Sequence, residues 1–257
     1  MIDLHSHCLP GIDDGVTTLE ASLALLRAAR ADGIERIAAT PHVRSDYPTA
    51  PEAMERLVDE VNAAARAASV GVEVLRGGEL DLAFAASLDD DTLRRFGLGG
   101  NPSLLLLEFP YLGWPLGLPD LVFTLQLRGF GVVIAHPERN ADVQADPDRL
   151  RPLVDNGAIV QVTAASLDER LGGRTRAAGM RLVESGLAHV IASDAHAPDV
   201  RSVGMSAAAQ AIGDESLARW MTTDVPAALL DGRPVPPRPE RARGWLRGAR
   251  RGRARSR

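Results

Sequence analysis

The sequence predicts an α/β fold, a TIM-like barrel of seven β/α units in a single domain. Three observations carry this reading. Short apolar runs alternate with helix-like stretches along most of the chain. Several runs are continuous rather than alternating, as expected for parallel strands covered on both faces. Almost every run ends in a polar cluster. A closed barrel gathers all its C-terminal strand ends on one face, whereas an open doubly wound sheet does so only at the switch point.

The first run, Ile2–Leu4, is followed by a helical stretch over Thr18–Asp32, with Thr18 as its cap and apolar positions at Leu19, Leu23 and Leu26. Ile34–Ala39 is the second strand, with Pro51–Ala68 as the helix after it. Val72–Leu75 and Leu104–Leu107 are the third and fourth strands, and Leu116–Leu127 is the next helix. Val132–Ala135 precedes a helix over Asp148–Asn156, and Ile159–Val162 precedes one over Thr175–Ser185. Val190–Ala192 is the seventh strand. Asp3, Glu73 and Gln161 interrupt three of the runs, while Gly33, Gly157 and Gly186 stand where helix C-caps fall. The domain is expected to cover residues 1–231. Gly232–Pro239 is rich in proline and reads as a linker, so 232–257 is expected to be a basic, disordered tail.

A length of 257 residues suits one large domain, and 45% hydrophobic residues suffice for a sizeable core. No apolar run approaches the roughly 20 residues that span a bilayer. The N-terminus has no basic region followed by an apolar stretch, so no secretory signal is expected. The single cysteine, Cys8, excludes an internal disulfide framework and fits a reducing cytoplasm, the expected compartment. The chain has no lysine, which reads with its Ala and Gly richness as high-GC bacterial genome bias rather than chemistry. Its net charge of -5 is uneven: Arg238–Arg257 holds nine Arg and one acid, a net of +8, which leaves -13 on the rest. An acidic body is a poor nucleic-acid binder. The tail is suited to anionic surfaces, membrane or nucleic acid, although a plain solvated tail is the simpler reading.

Five of the six histidines fall just after predicted strands: His5, His7, His42, His136 and His196. Carboxylates occupy equivalent places at Asp13, Asp14, Glu79, Glu108 and Asp194. Chance would scatter histidines over helices and loops as well, so the joint pattern points to a metal site. In His5-Ser6-His7 the imidazoles are two apart on a strand and point the same way, so both can reach one ion. Asp194-Ala195-His196 repeats the spacing. An N and O donor set without clustered cysteines favours Mn, Fe or Zn over a thiolate zinc site. Two or more close ions polarise phosphoryl oxygens and deprotonate a bridging water.

Asp3-Leu4-His5-Ser6-His7, Thr40-Pro41-His42, Gly78-Glu79, Leu107-Glu108, Ala135-His136-Pro137-Glu138-Arg139 and Ser193-Asp194-Ala195-His196 resemble, in order, the successive motifs of the PHP (polymerase and histidinol phosphatase) superfamily. The segments around His7–Gly15 and His136–Asn140 are similar to the bacterial capsule-type tyrosine phosphatases, manganese-dependent enzymes of exopolysaccharide clusters. The resemblance covers about residues 1–230 and implies a distorted seven-stranded (β/α) barrel. It also implies up to three Mn2+ ions: His5, His7, Glu79 and Asp194 at the first, Glu79, Glu108 and His136 at the second, and Asp14, His42 and His196 at the third. The implied reaction is hydrolysis of protein phosphotyrosine by a metal-bridging hydroxide, with a bacterial tyrosine kinase as a candidate partner. Two other readings stay open: a phosphatase of small phosphates such as histidinol phosphate or a nucleotide, and a non-catalytic PHP module. The second expects lost ligand positions, and none is lost.

Arg139, three residues after His136, is a candidate phosphate clamp. Arg201, five residues after His196, resembles a second family arginine that contacts phosphate. Cys8 is set aside as a nucleophile, because a cysteine-phosphatase loop needs arginine six residues on and Asp14 stands there. Tyr47, Tyr111 and Trp114 fall in loops after strand ends, where they could line the mouth and stack on a phosphotyrosine ring, although packing is their simpler role. His189 precedes the last strand, on the wrong end for catalysis, while Gln161 and Thr163 could hold groups around the site.

Overall fold

The computed structural model describes residues 1–197 and 201–240. Its strands are β1 (Ile2–Ser6), β2 (Arg36–Ala39), β3 (His42–Arg44), β4 (Tyr47–Pro48), β5 (Glu73–Leu75), β6 (Glu79–Leu80), β7 (Leu104–Glu108), β8 (Gly131–Ala135), β9 (Ile159–Thr163) and β10 (Val190–Ala192). They form a sheet in the order β1-β2-β5 and another in the order β10-β9-β8-β7-β6-β3-β4. All pairings are parallel except the β3–β4 hairpin. All seven expected runs become strands, but two are broken. Between β2 and β3 stand Thr40 and Pro41, and between β5 and β6 stand Arg76, Gly77 and Gly78. Proline has no N–H to give a ladder, so the strand kinks there. Pairing resumes past both breaks, with Glu79 N donating to Pro41 O at 3.0 Å and Asp81 N to Val43 O at 3.2 Å.

The sheet closes between β1 and β10. Ser6 and Ala195 form a parallel bridge. Asp194 N donates to His5 O and His7 N to Ala195 O, both at 2.8 Å. Below them, the buried Asp3 carboxylate accepts from Ser193 N at 2.9 Å. Seven strands in sequence order around a closed, twice-broken sheet make the distorted barrel.

Helices cover it for the reasons their sequences supply. Thr18 accepts from Ala21 N and starts the helix Leu19–Ala31, whose buried face is Leu25, Leu26 and Ala29. Pro51 opens Pro51–Ala67, which buries Met54, Leu57, Val58, Val61 and Ala65 at helical spacing. Leu118–Leu127 and Gly173–Glu184 also match expectation. The stretch expected over Asp148–Asn156 is instead a 3₁₀ turn, Pro147–Leu150, followed by the helix Arg151–Asp155. Pro152 accounts for the change of winding, since it cannot donate back into the preceding turn. Two short helices, Leu82–Ser87 and Asp90–Arg95, are capped by Asp81 and Asp89, and a helical run over 205–230 packs late in the chain; the sequence reading named none of these. Among the described residues, no helix is long and apolar enough to cross a membrane.

The proline-rich segment after Asp231 has no regular structure, yet it is strapped to the body. The Trp220 indole donates to Pro236 O at 2.9 Å. Arg238 donates to Val183 O at 2.6 Å, in the last turn of Gly173–Glu184, where a cation complements the negative end of the helix dipole. The expected basic tail lies, from residue 241 onward, outside the described residues.

Candidate metal centre

The C-terminal strand ends bring nine histidine and carboxylate side chains to one face of the barrel. His5 is the next-to-last residue of β1 and His7 follows the strand; both are buried. The two Nε2 atoms lie 3.3 Å apart, too close for both to carry protons. Each also faces Glu79 Oε2 and Asp194 Oδ1, at 3.3 and 3.4 Å from His5 and at 3.4 and 3.3 Å from His7. Beside this group, Asp14 Oδ1 lies 3.4 Å from His42 Nε2 and 3.3 Å from His196 Nε2. Among the described residues, four sets of donor atoms fall within 4.8 Å of one another: His5, His7 and Asp194; His5, Glu79 and His136; His42, Glu79 and Glu108; and His7, Asp14, His42 and His196.

Glu79 is the hub because its two oxygens face different ways. Oε1 meets His136 Nε2 at 2.8 Å, and Oε2 meets His42 Nδ1 at 3.0 Å. The implied trio of Glu79, Glu108 and His136 is accordingly divided. His136 groups with His5, and Glu108, 3.7 Å from His42 Nδ1, groups with His42.

The far nitrogens of three imidazoles are held by groups that are not themselves candidate ligand atoms. His7 Nδ1 meets Asp13 Oδ2 at 2.7 Å, His5 Nδ1 meets Gln161 Oε1 at 3.1 Å, and His196 Nδ1 meets Asp194 O at 2.9 Å. That arrangement fixes the tautomer and aims each Nε2 inward, as second partners of metal-binding histidines do. Two residues pay in backbone strain for their place: His136 at φ +38° and Asp194 at φ +50° are left-handed without being glycine.

The residues fit a cation. Glu79 Oε2, His42 Nδ1 and His196 Nε2 are buried and have no hydrogen-bond partner, which is costly unless an ion completes them. The electrostatics agree. Burial opposes charge on Glu79, but the His5 charge, a bond from His136 and the nearby His42 imidazole hold its carboxyl well below the usual range. Asp194 is likewise held far down, against burial, by Arg139 and His5. The adjacent His196 and His42 imidazoles lower Asp14. Burial disfavours charge on His42, yet Asp14 and Glu79 raise it to about 9. Glu79, Asp194 and Asp14 stay ionised and His5, His7 and His42 are drawn toward positive charge, while burial holds His196 toward the neutral form that a ligand needs. Glu108 runs the other way, pushed up by burial and by Glu79.

Both candidate arginines converge on Asp194 Oδ2, Arg139 Nη2 at 2.6 Å and Arg201 Nη2 at 3.2 Å. Arg139 also donates to Thr163 Oγ1 at 3.0 Å and to the Tyr111 hydroxyl at 3.4 Å. Tyr111 stacks on His136 with centroids 5.9 Å apart, and Tyr47 stacks on His42 at 5.8 Å. Trp114 instead packs against Phe109 and under Arg149. Cys8 is buried outside the cluster, and burial pushes its thiol up to about 11. His189 accepts from Val160 N at the opposite end of the barrel.

Sequence reasoning passed over two residues. Arg44 donates to Glu108 Oε1 at 2.8 Å, and its position two after His42 on a strand was the available signal. Glu138 is buried and accepts from Thr163 N at 2.8 Å and Ser166 Oγ at 2.7 Å, which ties the Arg139 turn to the end of β9.

A family profile described as capsular polysaccharide synthesis, CpsB/CapC, matches residues 1–230. The chain belongs to the CpsB/CapC family. The capsule-type resemblance read from the motifs is therefore borne out. Tyrosine-protein phosphatase YwqE of Bacillus subtilis is 35% identical over 250 residues, 95% of this chain and 98% of that protein. A putative tyrosine-protein phosphatase CapC of Staphylococcus aureus is 32% identical over 198 residues, 76% of this chain and 77% of that one. A solved structure, from work on YwqE of Bacillus subtilis and CpsB of Streptococcus pneumoniae as metal-dependent tyrosine phosphatases, superposes with a TM-score of 0.83 at 34% identity, covering 94% of this chain and all of that one. The expected distorted barrel agrees with this family fold.

Proposed function

We propose that this chain is a metal-dependent phosphomonoesterase that hydrolyses phosphotyrosine in proteins. The observation that carries the reading is the juxtaposition of overlapping, unpartnered donor sets with two guanidinium groups on one carboxylate oxygen. We assign His5, His7, Glu79 and Asp194 to one ion and Asp14, His42 and His196 to another, with Glu79 as the bridge on which His136 and Glu108, now on either side of it, draw together to hold a further ion, and with manganese as the metal. Ions there supply charge neutralisation to phosphoryl oxygens and lower the pKa of a water. Arg139 and Arg201 orient the phosphate, since a planar guanidinium matches two of its oxygens and stabilises charge that develops in transfer. Gln161 and Asp13 hold His5 and His7 in the tautomer the site needs. The leaving phenolate, with a pKa near 10 in the free side chain, departs without a strong general acid.

The named activity of the relatives supports this reading, and so does the full set of ligand positions. A phosphorylated bacterial tyrosine kinase in the cytoplasm is the substrate it points to. The test is the purified protein with Mn2+, assayed side by side on a phosphotyrosyl peptide, histidinol phosphate and nucleotides. Preference for the peptide, abolished by chelator and restored by Mn2+, is the expected result. Preference for either small phosphate would replace it.

A further inference from the structure

Between β7 and the helix Leu118–Leu127, the chain runs Phe109-Pro110-Tyr111-Leu112-Gly113-Trp114-Pro115-Leu116-Gly117. It leaves the C-terminal end of β7, so it rises on the face that carries the metal centre. It is firmly held. Asn140 Nδ2 donates to Pro110 O at 2.7 Å and to Gly113 O at 3.0 Å, and Ala141 N donates to Tyr111 O at 3.3 Å. Underneath, Trp114 packs against Phe109. Yet Leu112 and Leu116 are 82% and 86% exposed, among the most exposed large apolar side chains described. Two leucines on a pinned loop gain nothing for folding by pointing outward. Their setting calls for an external partner.

The loop's own contacts identify that partner. Tyr111 precedes Leu112 directly, stacks on His136 and receives a bond from Arg139. Whatever covers Leu112 therefore lies within a residue of the proposed phosphate clamp. A second copy of the chain seated there would block the mouth of the site, whereas a substrate peptide must cross it. An extended peptide advances roughly 3.3 Å per residue, so the positions within about three of a phosphotyrosine reach the loop.

We propose that Tyr111, Leu112 and Leu116 form a docking rim for apolar residues that flank the phosphotyrosine of the protein substrate. The inference rests on the phosphatase reading of the metal centre. Tyr111 lines the wall against which the phenyl ring lies, and the leucines take side chains next to it in sequence. Because Asn140 fixes the loop in advance, binding orders little new backbone. The rim selects among phosphotyrosyl sites without touching the phosphorus.

The experiment uses the full chain with Mn2+ and three substrates: para-nitrophenyl phosphate, a phosphotyrosyl peptide with Leu and Phe within three positions of the phosphotyrosine, and the same peptide with Ser at those positions. The wild-type KM is expected to be about 5- to 20-fold lower for the apolar peptide, the worth of partly burying two leucines. Leu112→Ser with Leu116→Ser should erase that difference, with kcat and the kinetics on para-nitrophenyl phosphate unchanged. Equal KM values for the two peptides in the wild type, or a preference that survives the double substitution, would overturn the rim. So would a wild-type dimer that the double substitution converts to monomer while both peptide KM values stay fixed, since that assigns the leucines to a second copy. Absence of turnover on all three substrates would instead overturn the phosphatase reading, and the rim with it.

Discussion

Arg139 and Arg201 share one oxygen of Asp194, so each can release it to a phosphate while the other stays. Arg139 is the better placed, because Thr163 and Tyr111 hold its guanidinium plane. Arg139→Ala should lower kcat by about 10²- to 10³-fold on a phosphotyrosyl peptide, the range for loss of one charge-stabilising donor. Metal content should remain at the wild-type level, because no ligand atom is removed and Arg201 still partners Asp194. Arg139→Lys should recover only part of the rate, since ammonium lacks the planar fork. Unchanged turnover in Arg139→Ala, with metal analysis alongside, would remove this residue from catalysis. Cys8 gives the opposite contrast. Its thiol, raised to about 11 by burial, is not a nucleophile at neutral pH. Cys8→Ala should keep kcat within about twofold while costing on the order of 1 kcal/mol in denaturant stability; a dead, metal-loaded variant would refute that assignment.

At the scale of elements, the turn after β1 carries Asp13 and Asp14, and its shape depends on Gly15. A side chain there would stand 2.2 Å from His7 O and 2.6 Å from His7 Cβ. The turn also holds Gly15 N on Asp13 Oδ1 at 3.0 Å, and the other Asp13 oxygen on His7 Nδ1. Gly15→Ala should therefore swing Asp13 and Asp14 away from the cluster. The expected readout is loss of about one ion per chain in elemental analysis, with a folded far-UV spectrum; full occupancy would show that the turn tolerates the methyl group. Gly15 also marks where legibility ended. The strands and the histidines were readable because apolar runs and the residues that follow them are local patterns. What a glycine must avoid is decided by a neighbour brought close in space. The same holds for the bond from Arg44 to Glu108, which joins residues 64 apart. The breaks after Ala39 and Leu75 depended on Pro41 and on Gly77-Gly78, which were visible, but their effect is set by how the barrel curves. The helix Met205–Ile212 is only eight residues long, and its buried face of Met205, Ala208 and Ile212 offers few bulky apolar positions for a sequence pattern to show.

The molecule as a whole has two ends with different chemistry. Ions complete one. At the other, His189 lies near Trp220 and the strap that ends in Arg238. Burial, then the Arg238 charge, depresses His189 from 6.5 to about 4. An unfolded chain takes up this proton near pH 6.5, and the folded one resists until about pH 4. The stability contributed by neutral His189 is thus complete above about pH 6.5 and lost as the pH falls toward 4, on the order of 2 kcal/mol. His189→Gln keeps an acceptor and cannot titrate, so its stability should fall less than that of the wild type between pH 6.5 and 4. Parallel curves from chemical denaturation would exclude the histidine as a source of acid lability. The closure of the barrel has a consequence for biosynthesis. Ser6 pairs with Ala195, so the first strand emerges from the ribosome long before its neighbour exists. Contacts so far apart along the chain form late, because the loop entropy comes due before the contact rewards it. His5 arrives on the first strand and His7 just after it, Asp194 and His196 after the last. The cluster cannot be whole until about three-quarters of the chain has been made, and a nascent chain halted earlier is a barrel with an open seam and half a cage.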